Sequence, residues 1–349
     1  MNFLSGCSQF LHATSSALAF ARCAPQQGYT ITLKLLSVTI ALLLVTLASS
    51  AQQLPDGLRL TAKRLTNVND AYPLSSPDGT KILFESDRTG NWEIFVMQVD
   101  GTGLTQLTKN SASDLTPIWS PDGKQIVFAS ERDGNSEIYL MKNDGSNQRR
   151  LTQFPGDDSH PHWSPDGRRI VFNSSRTTPD LTADWAQQIH EIFSMDADGG
   201  NVRQISSLKT ISTYPSYSPD GKKIVFRCVT LEPGFRWDLS LASRNSEVFV
   251  MNVDGTDPVN LTTNVAYDGW PMWSPDGKKI LFSSNRSGPA NIGQLYLMNV
   301  DGSAVQKVTD GPGSFVQPSW SHDGKRIYAF QHWETEEFGN IVQFELPAF

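Results

Sequence analysis

The chain has 349 residues, a formal net charge of −7, 38% hydrophobic residues and three cysteines. This acidic balance, with no basic stripe, excludes nucleic acid or an anionic membrane surface as the main partner, because both demand clustered cations that displace counterions. A disulfide-stapled fold is excluded as well, since Cys7 and Cys23 fall in a leader-like segment and leave Cys228 alone.

In chain order, residues 1–51 come first and differ in composition from everything after them. Lys34 precedes the apolar run LLSVTIALLLVTL, and Ala48, Ser49, Ser50 and Ala51 offer a cleavage site before Gln52. The run is shorter than the roughly 20 apolar residues of a membrane span. The segment therefore reads as a signal peptide, with a retained N-terminal anchor as the alternative. No cysteine follows the run directly, which argues against a lipoprotein. Residues 52–349 remain, 298 residues with a net charge of −9, expected to be monomeric and periplasmic or secreted.

Residues about 58–66 are the next predicted element. Their ending, Leu65-Thr66, matches the endings Leu107-Thr108, Leu151-Thr152 and Leu261-Thr262 of later units, yet no unit precedes it. The tetrapeptide SPDG then starts at Ser76, Ser120, Ser164, Ser218 and Ser274, and SHDG at Ser321, with spacings of 44, 44, 54, 56 and 47 residues. That is the period of a four-stranded propeller blade, so six copies predict an all-β, six-bladed β-propeller. Proline and glycine in SPDG preset the backbone angles of a tight reversal. After it come apolar strands such as 126–128 and 138–141, then a second Asp-Gly turn, as at Asp144-Gly145, and an outer strand ending in Leu-Thr. The strands are apolar on both faces, as a sheet sandwiched between neighbours requires. The sixth unit stops after strand 341–344 without an outer strand, so residues 58–66 are predicted to complete it and leave no open edge.

The elements PxWSPDGxxIxFxSxR and IYxMxxDG resemble the WD40-like (PD40) repeats of TolB-like propellers, over essentially the whole of residues 52–349. The resemblance implies a periplasmic, non-enzymatic scaffold that binds a protein or peptide partner in the cell envelope, as TolB docks the lipoprotein Pal. TolB carries an α/β domain before its propeller, whereas here few residues separate the expected cleavage point from the first blade.

Strand direction reverses at every hairpin, so the second-to-third-strand loops share the face opposite SPDG. The residue before each blade's first proline is Tyr72, Thr116, His160, Tyr214, Trp270 and Gln317. These six are predicted to ring the channel mouth, as a binding surface or simply as its plug. Long loops at 177–190 and 229–246 flank that mouth and carry Trp185, Arg236 and Trp237, residue types enriched at binding hot spots. Trp92 and Trp333 fall beside similar loops. Asp70, Asp114, Asp158 and Asp268 recur three residues before the proline position and are expected to satisfy backbone donors between blades, the alternative being an acidic rim. Arg88, Arg132, Arg176 and Arg286 are expected in inter-blade ion pairs, and Trp119, Trp163, Trp273 and Trp320 in the core.

No nucleophile elbow or hydrolase domain accompanies the repeats. Cys228 reads as a small buried residue of a strand, and the DADGGN stretch at Asp196 as a hairpin turn lacking calcium-ligand spacing. No cofactor is expected. The enzymatic alternative is a metal-dependent, oligogalacturonate-type lyase using His160, His162, His190, His332 and Gln317, and a third reading is carbohydrate binding without cleavage.

Overall fold

The computed structural model describes residues 58–229, 245–289, 292–311, 313–332 and 339–347. They form six four-stranded antiparallel sheets, and helical structure among the described residues is limited to a 3-10 turn at Trp185–Gln187. The second blade shows the pattern: inner strand Asp114–Trp119, then Gln125–Ser130, Glu137–Lys142 and the short outer strand Arg149–Arg150. The sixth contains Ser314–Trp320, Arg326–His332 and Asn340–Glu345, and its fourth strand is Lys63–Arg64, with Lys63 opposite Gln343. That strand is narrower than the span expected for it. Thr66 just beyond it accepts a hydrogen bond at Oγ1 from Ile341 N–H, the same bond that Thr108 accepts from Ile94 in the first blade.

The core lies between blades rather than within them. Phe84, Phe128, Phe172, Phe226 and Phe282 occupy the same place on successive second strands and are fully buried. Each blade boundary has its own apolar cluster, including one joining Ile82, Phe84 and Phe95 of the first blade to Tyr328 and Ile341 of the sixth. Replacing a buried phenylalanine by alanine in such a core costs about 3–5 kcal/mol.

Two polar repeats fasten strands within blades, the first of them in the first, second, third and fifth. Asp70, Asp114, Asp158 and Asp268 do not serve backbone donors, contrary to expectation: their carboxylates accept from Arg88, Arg132, Arg176 and Arg286 at 2.5–2.9 Å. These pairs lie within a blade, joining the inner strand to the end of the second, and not between blades. A fully buried aspartate without its cation would bear the whole desolvation penalty, so the two residues recur together. The second repeat runs from the third-strand glutamate to the Leu-Thr ending: Glu93 accepts from Thr108 Oγ1 and from Asn110 N–H, each at 2.6 Å. Glu137 and Thr152, then Glu247 and Thr262, repeat it. Among the WSPDG tryptophans, Trp119 and Trp163 are buried as expected, but Trp273 and Trp320 are only partly covered.

Blades also touch through their Asp-Gly turns. Gly255 has a φ of +89°, and a Cβ there would sit 2.0 Å from the carbonyl oxygen of Ile205 in the preceding blade. Only glycine meets both demands. Gly255→Ala should destabilise the chain by about 2 kcal/mol or more, measured as a lower urea midpoint with an unchanged slope. An unchanged midpoint would contradict the close approach.

Candidate functional site at the channel mouth

Every inner strand breaks register at the same point, between Ala71 and Leu74 in the first blade and between Leu115 and Ile118 in the second. The residue before the proline sits in this bulge with positive φ: Tyr72, Thr116, His160, Tyr214, Trp270 and Gln317 have φ of 49–56°. Left-handed backbone costs a non-glycine residue about 1–3 kcal/mol, more naturally tolerated by glycine or asparagine. A bulge re-aims the side chain it carries. Here the six side chains and their prolines line one cavity of about 550 Å³, counting its open mouth.

The six predicted ring residues are thus brought together, and five of them touch. Tyr72 stacks on Tyr214 across the channel with ring centres 6.3 Å apart, and His160 meets Tyr214 edge-on at 4.0 Å. Trp270 lies 5.8 Å from Tyr214 and donates from its indole nitrogen to the Tyr72 hydroxyl at 3.0 Å. Gln317 Oε1 accepts from the Tyr72 backbone N–H at 3.2 Å. The aromatic side chains therefore both narrow the channel and present their remaining faces at its mouth. Trp185 stands apart, its ring tilted against buried His190 with centres 4.6 Å apart. Arg236, Trp237 and Trp333 lie outside the described residues, as does the 1–51 segment.

A second tier supports the ring, and sequence reasoning missed it. It occupies one position near the end of each second strand, where the residue type changes from blade to blade: Glu85, Ala129, Asn173, Arg227, Ser283 and Phe330. Glu85 accepts from the Thr116 backbone N–H at 2.6 Å. Asn173 Oδ1 lies 2.7 Å from the His160 ring. Arg227, 1% exposed, stacks its guanidinium over Tyr214 and Tyr267 and donates to the Tyr267 hydroxyl. The available signal was variation at a fixed offset inside an otherwise uniform strand, masked by the assumption that strand interiors serve packing.

Burial governs the charge states here. It pushes Glu85 up to about 8, opposed by the Thr116 N–H. It pushes His160 down to about 3 and His162 and His190 to about 4, with Arg227 repelling a proton from His160 and His190. The histidines are dispersed: His162 turns its two nitrogens to the Trp163 carbonyl and Ser216 Oγ, and His332 is exposed beside Phe330. Among the described residues no three His, Cys, Asp or Glu side chains converge as metal ligands. Cys228 is buried, its thiol raised by that burial and lying 3.1 Å from Thr210 Oγ1.

Comparison with known proteins places this architecture. The family model described as TolB beta propeller domain matches residues 51–180 and 238–346, more than half of the chain. The chain belongs to the TolB beta propeller domain family. A Protein TolB homolog of Chlorobium chlorochromatii is 32% identical over 126 residues, covering 28% of this chain and 29% of that protein. The chain thus spans under a third of the length of the curated relatives it matches. Among solved structures, a protein assigned as TolB in Agrobacterium tumefaciens superposes with a TM-score of 0.59 at 23% identity, over 81% of this chain and 92% of that one. An oligogalacturonate lyase in complex with manganese gives 0.55 at 16% identity, over 83% and 97%. Likenesses this distant establish the shared propeller alone.

Two measurements probe the site's physics. Thr116→Gly removes a β-branched side chain from left-handed backbone, relieving about 1–3 kcal/mol of strain against the roughly 0.5–1 kcal/mol entropy cost of glycine. The melting temperature should hold or rise; a loss above about 1 kcal/mol would make this side chain a folding requirement. Glu85 binds its proton more tightly folded than unfolded, so its contribution to stability falls as pH rises from about 4.5 to about 8. The histidines act oppositely, stability rising with pH from about 4 towards 6.5 as the unfolded chain loses its extra protons. Between pH 6.5 and 8.5 the Glu85 slope should therefore show, and Glu85→Gln should flatten it. An unchanged slope in that variant would place the titration elsewhere.

Proposed function

We propose that the chain is an exported, non-enzymatic binding scaffold of the TolB type that captures a protein partner in the cell envelope at its channel mouth. The observation that carries this reading is the retention of Tyr72, Thr116, His160, Tyr214, Trp270 and Gln317 at backbone positions where glycine or asparagine would be less strained. All six blades share the bulge, so the fold demands the backbone, but nothing in the fold demands six unlike side chains on it. The mouth, narrowed by its own aromatic rings, admits a side chain or a chain end rather than a folded domain. Aromatic rings held by a buried second tier give such a guest a preorganised, rigid seat. Family membership and the leader-like residues 1–51 support an envelope location.

The metal-dependent lyase reading needs three or four converging ligands, and the dispersed histidines lend it no support. The test is capture of envelope proteins from the source organism by the native chain and by a Tyr72→Ala, Tyr214→Ala, Trp270→Ala variant whose folding is checked by circular dichroism. Recovery of the native chain's specific partner should fall at least tenfold. If the triple replacement fails to fold, Trp270→Gln alone carries the comparison. Undiminished capture would remove the mouth as the binding surface, and manganese-stimulated cleavage of oligogalacturonate would replace the scaffold with the enzyme.

A further inference from the structure

Glu85 differs from every other buried carboxylate among the described residues. Asp70, Asp114, Asp158 and Asp268 each face an arginine, and Glu137 faces Arg150. Glu93, Glu191 and Glu247 each take a hydroxyl and a backbone N–H. Glu85 is 5% exposed and takes the Thr116 N–H alone, at one oxygen. Arg227, three blades away, is turned to Tyr214 and Tyr267. The backbone does not account for an acid here: Ala129, Asn173, Ser283 and Phe330 hold the same strand position beside the same bulge, and a glutamine would also accept the Thr116 N–H.

Two more acceptors border it in the ring. Thr116, 7% exposed, lines the cavity, and its Oγ1 is buried without a hydrogen-bond partner. His160, the next ring residue, places Nδ1 2.7 Å from Asn173 Oδ1. An amide oxygen only accepts, so Nδ1 holds the proton of this neutral ring and Nε2 is left as an acceptor. Across the ring stand Tyr214 and Trp270, with ring centres 5.8 Å apart, and aromatic faces attract cations. Carboxyl, hydroxyl and imidazole lone pairs opposite aromatic faces suit a group that is rich in N–H donors and positively charged.

We propose that the partner side chain admitted by the mouth is a lysine, its ammonium at Glu85, Thr116 and His160 and its methylenes against Tyr214 and Trp270, an assignment that rests on capture of a protein there. An ammonium brings three donors to three acceptors. In the empty mouth, burial keeps the Glu85 carboxyl largely protonated at neutral pH, so no unpaired charge is held. An arriving ammonium favours the ionised form, and the carboxyl proton leaves to solvent. Charge therefore enters the mouth as a pair, which avoids the penalty of burying a lone ion.

The probe is acetyl-Gly-Gly-Lys-Gly-Gly amide, titrated against the full chain at pH 8 and followed by NMR at the lysine ε-methylene. Saturable binding is expected, with that signal moving upfield under the ring currents of Tyr214 and Trp270. The norleucine and glutamate counterparts should bind about tenfold more weakly or worse, as loss of a charged hydrogen bond implies. Glu85→Gln keeps the Thr116 bond and should weaken the lysine peptide about tenfold. Thr116→Val, which removes only the unpartnered hydroxyl, should weaken it about threefold. No binding, equal binding of the norleucine peptide, or full binding by either variant overturns the proposal. Equal binding of unblocked pentaglycine amide moves the ammonium to a chain terminus and overturns it as well. Partner capture lost by the aromatic triple variant but kept by Glu85→Gln removes the lysine and leaves the mouth as the binding surface, whereas capture kept by both removes the mouth itself.

Discussion

Each blade carries apolar side chains on both faces of a small sheet, so burying either face requires a neighbour. A single blade would expose one phenylalanine-bearing face to water, at a penalty of about 1.5–3 kcal/mol for each large side chain left uncovered. Six boundaries with six apolar clusters answer that demand, and the cluster of Ile82, Phe84, Tyr328 and Ile341 lets the first blade cover the last. The polar repeats are subordinate to this packing. Aspartate-arginine pairs and glutamate-threonine bonds tie strands within a blade, whereas glycine in the Asp-Gly turns lets one blade's backbone approach the next.

Sheet packing leaves the inner strands facing a narrow axial channel, and a bulge there has a disproportionate effect. Because the residue before proline is turned into left-handed backbone, its side chain leaves the sheet alternation and enters the channel. Six such turns concentrate the molecule's least repetitive residues in one place. The charged and amide residues one strand out, Glu85, Asn173 and Arg227, then fix the backbone or ring of a mouth residue. Burial of these groups is tolerable because each meets a partner or a ring face.

The two ends of the propeller thus depart from the repeat in different ways. At the mouth the departure is in side chains set on uniform strained backbone. At the opposite end it is in exposure, where a half-exposed Val259 and a partly covered Trp273 line an open cleft between the fourth and fifth blades. The expectation that all four WSPDG tryptophans are core fails at Trp273 and Trp320, which are only partly covered, whereas Trp119 and Trp163 are buried.

By itself, the sequence determined what is local and periodic. Turn chemistry at SPDG and Asp-Gly, strand lengths, blade count, and the match of Leu65-Thr66 to later Leu-Thr endings all follow from short-range backbone preferences repeated six times. It also located the six mouth residues, since a fixed offset from a fixed turn gives a fixed place in a repeated sheet. Only the tertiary structure decided which partners those residues take. The pairing of Asp114 with Arg132 inside a blade, the grip of Glu85 on the next blade's Thr116, and the stacking of Tyr72 on Tyr214 across the axis join residues distant in sequence. Their contacts depend on how sheets are placed around the ring, a geometry set by the summed packing of all six boundaries and by no single repeat.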